Sequence, residues 1–296
     1  MISDNSSLDI VGDTHNIDSL KSILSKCDNI ISLGDIGAAV PKEIFLNEQL
    51  KRYRAAWKAY SKKDSSVDKN DLEWFRNLNV SSWSTQIDNI IDSGKDFVLI
   101  RGNSDLAMID FFPECKDKLI RNINNNFQFI DKVDLITINN VQILFMPFQK
   151  IEYDISEIVK KIVASKKLFV LTHCPAFSSA RKEYYIHVFN VLKELSKHHD
   201  KIIFIHGHMH PSNSYSYDID GLPKVKFYCP KAEETFEGFG INNHIIRLNT
   251  LSGEFKLIDS VTGKESKFRP LPEKYKYNED HWNEFDENGN NPNKRV

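Results

Sequence analysis

Aspartate, asparagine and histidine recur at one kind of place in this sequence, directly after a short apolar run. Leu8 to Val11 is followed by Gly12-Asp13-Thr14-His15, Ile30 to Leu33 by Gly34-Asp35-Ile36-Gly37, and Phe97 to Ile100 by Arg101-Gly102-Asn103-Ser104-Asp105. Leu168 to Leu171 leads into Thr172-His173-Cys174-Pro175, and Ile202 to Ile205 into His206-Gly207-His208-Met209-His210. Carboxylate oxygens and imidazole nitrogens together suit Mn, Fe, Zn or Co better than Mg alone. A pair of such ions can share one carboxylate and clamp both the attacking and the leaving oxygen of a phosphoryl group. The spacing serves the same end, because Asp13-x-His15 and His208-x-His210 place donors on alternate residues, which leave a strand on the same side. The adjacent glycines admit the positive φ of tight turns.

Positioning these groups requires the apolar runs to be strands. Each is short, rich in Val, Ile, Leu or Phe, and lacks clean polar alternation, which is how strands buried on both faces read. Helical spacing lies between them, at Leu20, Ile23, Leu24 and Cys27, at Ile155, Ile158, Val159 and Ile162, and at Val188, Val191, Leu192 and Leu195. Strands alternating with amphipathic helices predict an α/β fold with largely parallel pairing and the five strand ends side by side, since sites in such sheets gather at carboxyl ends.

Two regions depart from that rhythm. Residues 38–80 make a crossover far longer than the dozen or so residues one needs, and read as a helical insertion. Within it, Lys51 to Lys63 mixes cations with aromatics. Tyr53, Ala56, Trp57 and Tyr60 fall at i, i+3, i+4 and i+7, so the preferred reading is a buried stripe with a solvated basic face, and a cap gripping a phosphate is the alternative. Residues 127–148, and His244 to Leu248 with Glu254 to Ile258, read as hairpins turning at Asn139-Asn140 and Ser252-Gly253. They predict a second, partly antiparallel sheet. Residues 264–296 are polar and charged and read as a disordered tail, leaving 1–263 as the expected domain.

Composition narrows the function classes. The 296 residues, 41% of them hydrophobic, allow one large α/β domain or two small ones and suffice for a sizeable core. A net charge of −2 provides no global basic field, which counts against long nucleic acid as a partner. The four cysteines form no C-x-x-C pair, the N-terminus has no signal-peptide pattern, and no apolar run approaches the ~18 residues of a membrane span. The expectation is a cytoplasmic protein with free thiols and no membrane partner.

In this order the five segments resemble the calcineurin-like metallophosphoesterase family: D-x-H, G-D, G-N-[HSC]-[DE], a lone His after a strand, and G-H-x-H. The resemblance spans Leu8 to His210. It implies two mixed β-sheets packed face to face with flanking helices, and a phosphoric ester hydrolase acting on a phosphate-ester substrate. It also implies two divalent ions, Mn first, with Fe, Zn, Co or Ni as alternatives. Residue by residue, it implies Asp13, His15 and His210 on the first metal, Asn103, His173 and His208 on the second, and Asp35 bridging them, with a hydroxide between the ions attacking phosphorus in line. Asp35, Asn103, Ser104 and Asp105 form the expected catalytic group. Arg101 is a candidate for the substrate phosphate, a surface role being the alternative. His206 reads either as a support for the ligands or as an ordinary strand-end residue, and Cys174 as packing.

One position departs from the pattern. Many members carry His directly after the Asn of G-N-H, where it is implicated in stabilising charge or protonating the leaving group. Here that position is Ser104, and a hydroxyl is a poor general acid at neutral pH. The expected preference is therefore for phosphodiesters or activated monoesters. A protein phosphatase, a nucleotide phosphomonoesterase, and a catalytically weak metal-binding scaffold of the same fold are the alternatives.

Overall fold

The computed structural model of the protein describes residues 6–14, 17–36, 49–62, 66–124, 126–149, 153–176, 182–209, 211, 213–232 and 243–271. Five strands carry the candidate residues, and they lie within a residue or so of the apolar runs: β1 (Ser7–Val11), β2 (Asn29–Ser32), β3 (Asp96–Ile100), β7 (Lys167–Thr172) and β8 (Ile202–His206). Between them run β4 (Phe127–Ile130), β5 (Asp134–Ile138) and β6 (Val141–Met146). After them come β9 (Tyr215–Tyr217), β10 (Val225–Cys229), β11 (His244–Asn249), β12 (Phe255–Asp259), β13 (Glu265–Ser266) and β14 (Arg269–Pro270). The described helices are α1 (Ile17–Leu24), α2 (Gln49–Lys62), α3 (Lys69–Asp92), α4 (Asn103–Phe111), α5 (Pro113–Asn122), α6 (Ser156–Lys161) and α7 (Lys182–Leu195).

The strands form two mixed sheets, ordered β13-β12-β11-β1-β2-β3-β4 and β14-β9-β10-β8-β7-β6-β5. Alternate side chains explain why the runs lack polar alternation. Leu8, Ile10, Ile31, Leu33, Val98 and Ile100 of the first sheet meet Ile143, Phe145, Phe169, Leu171, Ile203 and Ile205 of the second. On the outer face of the first sheet, Val11, Ile30, Phe97 and Leu99 pack with Leu20 and Ile23 of α1 and Phe75, Trp83 and Ile87 of α3. On the outer face of the second, Leu144, Val170, Ile202 and Phe204 pack with Val188, Val191, Leu192 and Leu195 of α7. Full burial of one such side chain is worth about 1.5–3 kcal/mol, so these three apolar layers are the main stabilising feature.

Several expectations need correction. The five strand ends are not side by side in one sheet, since β1, β2 and β3 belong to the first and β7 and β8 to the second. The region 127–148 divides: β4 pairs parallel with β3, placing Phe127 beside Phe97 under the helices, while β5 and β6 form the hairpin of the second sheet. The β11–β12 hairpin joins the first sheet, antiparallel to β1. Asp9 and Arg247 face each other in that register and form a two-point ion pair, 2.7 and 3.0 Å.

The helical insertion does not end near residue 80. Asp68 caps α3 by accepting a hydrogen bond from Asn70 N–H at 2.7 Å, and the helix continues to Asp92. Phe75, Trp83, Ile87 and Ile90 of α3 are core residues. The stripe on α2 packs inward as well: Tyr53 and Ala56 are buried, Trp57 meets Phe75 and Phe111 edge-on, and Tyr60 stacks on Phe75 and lies tilted against Phe111. Residues 37–48 lie outside the described residues. The tail boundary at 264 is also too early. β13 and β14 extend one edge of each sheet in turn, Phe268 packs against Tyr228 and Phe255, and Leu271 is buried. Residues 272–296 lie outside the described residues.

Candidate metal centre

The chain leaves the first sheet at the carboxyl ends of β1, β2 and β3, and the second at those of β7 and β8. Because the sheets face each other, the two sets of ends meet across a seam. His173 Nδ1–H donates to Leu33 O at 3.0 Å, and the His208 amide donates to both oxygens of Asp13 at 3.0 Å each, so every one of these bonds joins the two sheets. Gly207 is required at the crossing, since an added Cβ would lie 2.3 Å from Asp13 Oδ1.

The Leu33 carbonyl can only accept, so it assigns the His173 proton to Nδ1 and leaves a lone pair on Nε2. That atom faces Asn103 Oδ1 at 2.8 Å, His208 Nδ1 at 3.1 Å and Asp35 Oδ2 at 3.4 Å. The ligand atoms of Asp35, His173 and His208 all lie within 4.8 Å of one another. This converging set of imidazole, carboxamide and carboxylate donors suits a divalent transition metal. The residues present therefore fit a metal. The His173 ring is held by a backbone acceptor on one side and by the edge-on ring of Phe148 at 6.4 Å, the kind of outer support that orients a metal-ligating imidazole.

Asp35 sits on a strained turn. Gly34 has φ 108°, Asp35 φ 55°, and His208 across the seam has φ 68°. A left-handed non-glycine residue costs about 1–3 kcal/mol and persists only where its surroundings impose it. Here they do. Asp105, fully buried on the first turn of α4, accepts hydrogen bonds at Oδ2 from the Asp35 amide (2.7 Å) and the Gly102 amide (2.8 Å). Ser104 donates its amide to Asp35 Oδ1 at 2.8 Å and its hydroxyl to Oδ2 at 3.1 Å. Gly102 allows the approach, since a Cβ there would lie 2.1 Å from Asp35 Oδ1.

Of the seven expected metal ligands, Asp35, Asn103, His173 and His208 converge, and Asp13 lies beside them, its Oδ1 3.7 Å from His173 Nδ1. His15 and His210 lie outside the described residues. Arg101 is engaged elsewhere. Its Nε and Nη2 both donate to Phe148 O, at 3.1 and 2.8 Å, while the Phe148 amide donates to Arg101 O at 2.8 Å. Burial lowers the pKa of this guanidinium. It fastens the loop after β6 to the end of β3. His206 shares the outer face of the second sheet with Phe204. Its Nδ1–H donates to Gly207 O, and its Nε2 accepts from the Tyr217 hydroxyl. Burial brings its pKa down to about 4, so the ring is neutral. Cys174 packs against Phe148 and Leu106, as expected. Two contributors had no signal in the sequence: Phe148, and Gln86 of α3, whose side-chain amide donates to Ile36 O.

A family model described as calcineurin-like phosphoesterase matches residues 7–212. No curated protein matches the sequence. Among solved structures, the chain is similar to a novel archaeal phosphodiesterase, at 14% identity and a TM-score of 0.36, over 86% of this chain and 99% of the other. It is also similar to TT1561 of Thermus thermophilus, at 8% identity and a TM-score of 0.44, again over 86% and 99%.

Proposed function

The chain belongs to the calcineurin-like phosphoesterase family and is a metal-dependent phosphoric ester hydrolase, and from that premise we propose that it favours phosphodiesters, or esters with good leaving groups, over alkyl phosphomonoesters. Two divalent ions, Mn first, would be held by Asp13, His15, Asp35, Asn103, His173, His208 and His210. When bound, the ions supply Lewis-acid polarisation of the phosphoryl group and of the attacking water. Asp35 would be the carboxylate shared between them, and it is held by Ser104 and, through its own amide, by Asp105.

The observation that carries the preference is the environment of Ser104. Its hydroxyl, standing where the family pattern often has an imidazole, is 3.1 Å from Asp35 Oδ2 and donates to it. That proton is committed to the carboxylate and is a poor source for a departing alkoxide. A positioned acid typically contributes ~10² to 10⁴-fold. His206 does not stand in, because its two ring nitrogens face Gly207 O and Tyr217 on the outer side of the sheet. Asp105 is spoken for by two backbone amides. An aryl leaving group barely needs the missing proton. The buried thiols Cys27, Cys115, Cys174 and Cys229 favour the cytoplasm as the working compartment. Among the described residues no helix is long and apolar enough to cross a membrane.

The test compares kcat/KM for an aryl phosphodiester and an alkyl phosphomonoester in the natural protein and in Ser104→His. The natural protein should prefer the diester, and Ser104→His should raise monoester turnover about tenfold or more. A natural preference for the alkyl monoester, or no gain in Ser104→His with the metals still bound, would overturn the reading.

A further inference from the structure

We propose that Gln86 is a positioning residue for the metal centre, and that α3 thereby couples the helical insertion to the shared carboxylate. The inference rests on the reading of Asp35 as a metal ligand. Asp35 and Gly34 occupy consecutive left-handed conformations, so their geometry depends on groups outside the turn. Three supports come from the segment Gly102–Asp105: the Ser104 amide and hydroxyl on the Asp35 carboxylate, and the Asp105 carboxylate on the Asp35 amide. These fix what enters the turn. What leaves it is fixed by Gln86, whose side-chain amide donates to Ile36 O, the carbonyl of the residue directly after Asp35.

Gln86 is well suited to that role. It is fully buried, and Trp83 and Ile90, three and four residues away on the same helix face, are locked with Ile87 in the core of the first sheet. Its backbone is therefore immobilised by packing that has nothing to do with the metal, and the amide is aimed by a rigid element. Gln86 Oε1 meets no partner among the described residues, so the described anchoring of this side chain is the bond to Ile36 O alone. Gln86 is thus a polar side chain in an apolar layer whose one described bond is made next to the left-handed Asp35. Groups standing behind a metal ligand typically control metal affinity by ~10 to 100-fold.

The experiment measures Mn²⁺ binding by isothermal titration on the full chain, with thermal melts in chelator, for Gln86→Met, Ile87→Val and Asp35→Asn. Gln86→Met keeps the volume and removes the donor, and should weaken Mn²⁺ binding about tenfold or more. Ile87→Val, one residue along the same helix, should lower the melting temperature in chelator and leave Mn²⁺ affinity unchanged. Gln86→Glu should recover affinity only at acidic pH, where the protonated carboxyl can donate to Ile36 O, and this recovery must exceed any pH trend of the natural protein. Loss of affinity in Gln86→Met equal to that in Ile87→Val would overturn the inference, since both would then report general loosening. So would unchanged affinity in Gln86→Met while Asp35→Asn binds poorly. Unchanged affinity in Asp35→Asn would instead overturn the reading of the centre itself.

Discussion

Asp105 offers a sharp test, because its carboxylate is buried and its described bonds run to backbone rather than toward the converging ligands. Oδ2 accepts the amides of Asp35 and Gly102 at 2.7 and 2.8 Å. Bonds to a charged acceptor contribute about 1.5–3 kcal/mol each and neutral ones about 0.5–1.5, so Asp105→Asn, which keeps an acceptor oxygen, should lose about 1 kcal/mol per bond, or ~2 kcal/mol in all. Asp105→Ala strands both amides, at about 1–3 kcal/mol each, for a total of ~4 kcal/mol. With an unfolding entropy of about 2.1 cal/mol/K per residue, 1 kcal/mol moves the melting temperature of a 296-residue chain by roughly 1.6 °C, so the expected falls in chelator are about 3 °C for Asn and about 6 °C for Ala. Because the Asp35 turn relaxes at the same time, Mn²⁺ affinity should fall in the same order. Melts in chelator and Mn²⁺ titrations read the two effects separately. If Asp105→Asn melted within 1 °C of the natural protein and bound Mn²⁺ equally well while kcat fell, Asp105 would be acting in the chemistry and the clamp would be refuted.

Three further outcomes follow from the geometry. Metal analysis of protein loaded with Mn²⁺ and desalted should find two ions per chain, and a value near zero is incompatible with the proposed centre. Gly207→Ala, whose Cβ would fall 2.3 Å from Asp13 Oδ1, should displace that carboxylate and reduce metal content and activity together; full metal content would show that the seam can yield. Truncation after Leu271 should leave the melting temperature nearly unchanged, whereas truncation after Gly263 removes β13, β14, Phe268 and the buried Leu271 and should lower it by several degrees. Equal stability of the two truncations would mean that the edge strands add nothing.

The strands that carry the candidate ligands were legible because burial on both faces leaves a compositional mark that polar turns cannot imitate. Their partition between two sheets was not, since Leu8 to Val11 and Leu168 to Leu171 look alike whichever sheet they enter. β9 and β10 lack that two-faced mark, since Tyr215–Tyr217 is only three residues long and Val225–Cys229 sets Lys226 and Tyr228 on a half-buried face. The role of α3 was hidden for the opposite reason. Its one long helix spans the core and also reaches the Asp35 turn, and helical periodicity reports only the first. Long-range hydrogen bonds leave no periodic trace at all, so Gln86 with Ile36, and Arg101 with Phe148, were unreadable. The Arg101 side chain looked available to substrate because its sequence neighbours are ligands, whereas its guanidinium is turned onto a carbonyl from the other sheet.

The position of β1 has a consequence for how the chain is made. β1 carries Asp13 at its end and lies between β2 and β11, yet Arg247 of β11 is encoded 238 residues after Asp9. While a nascent chain emerges, β1 can pair with β2 on one side only, and its other edge, bearing Asp9, stays open until Arg247 arrives opposite it. A charged residue on an unpaired edge discourages pairing with other chains. Asp9 is thus the charged residue on the edge of β1 that is last to be covered, and it becomes one half of a partly buried ion pair once the last hairpin closes.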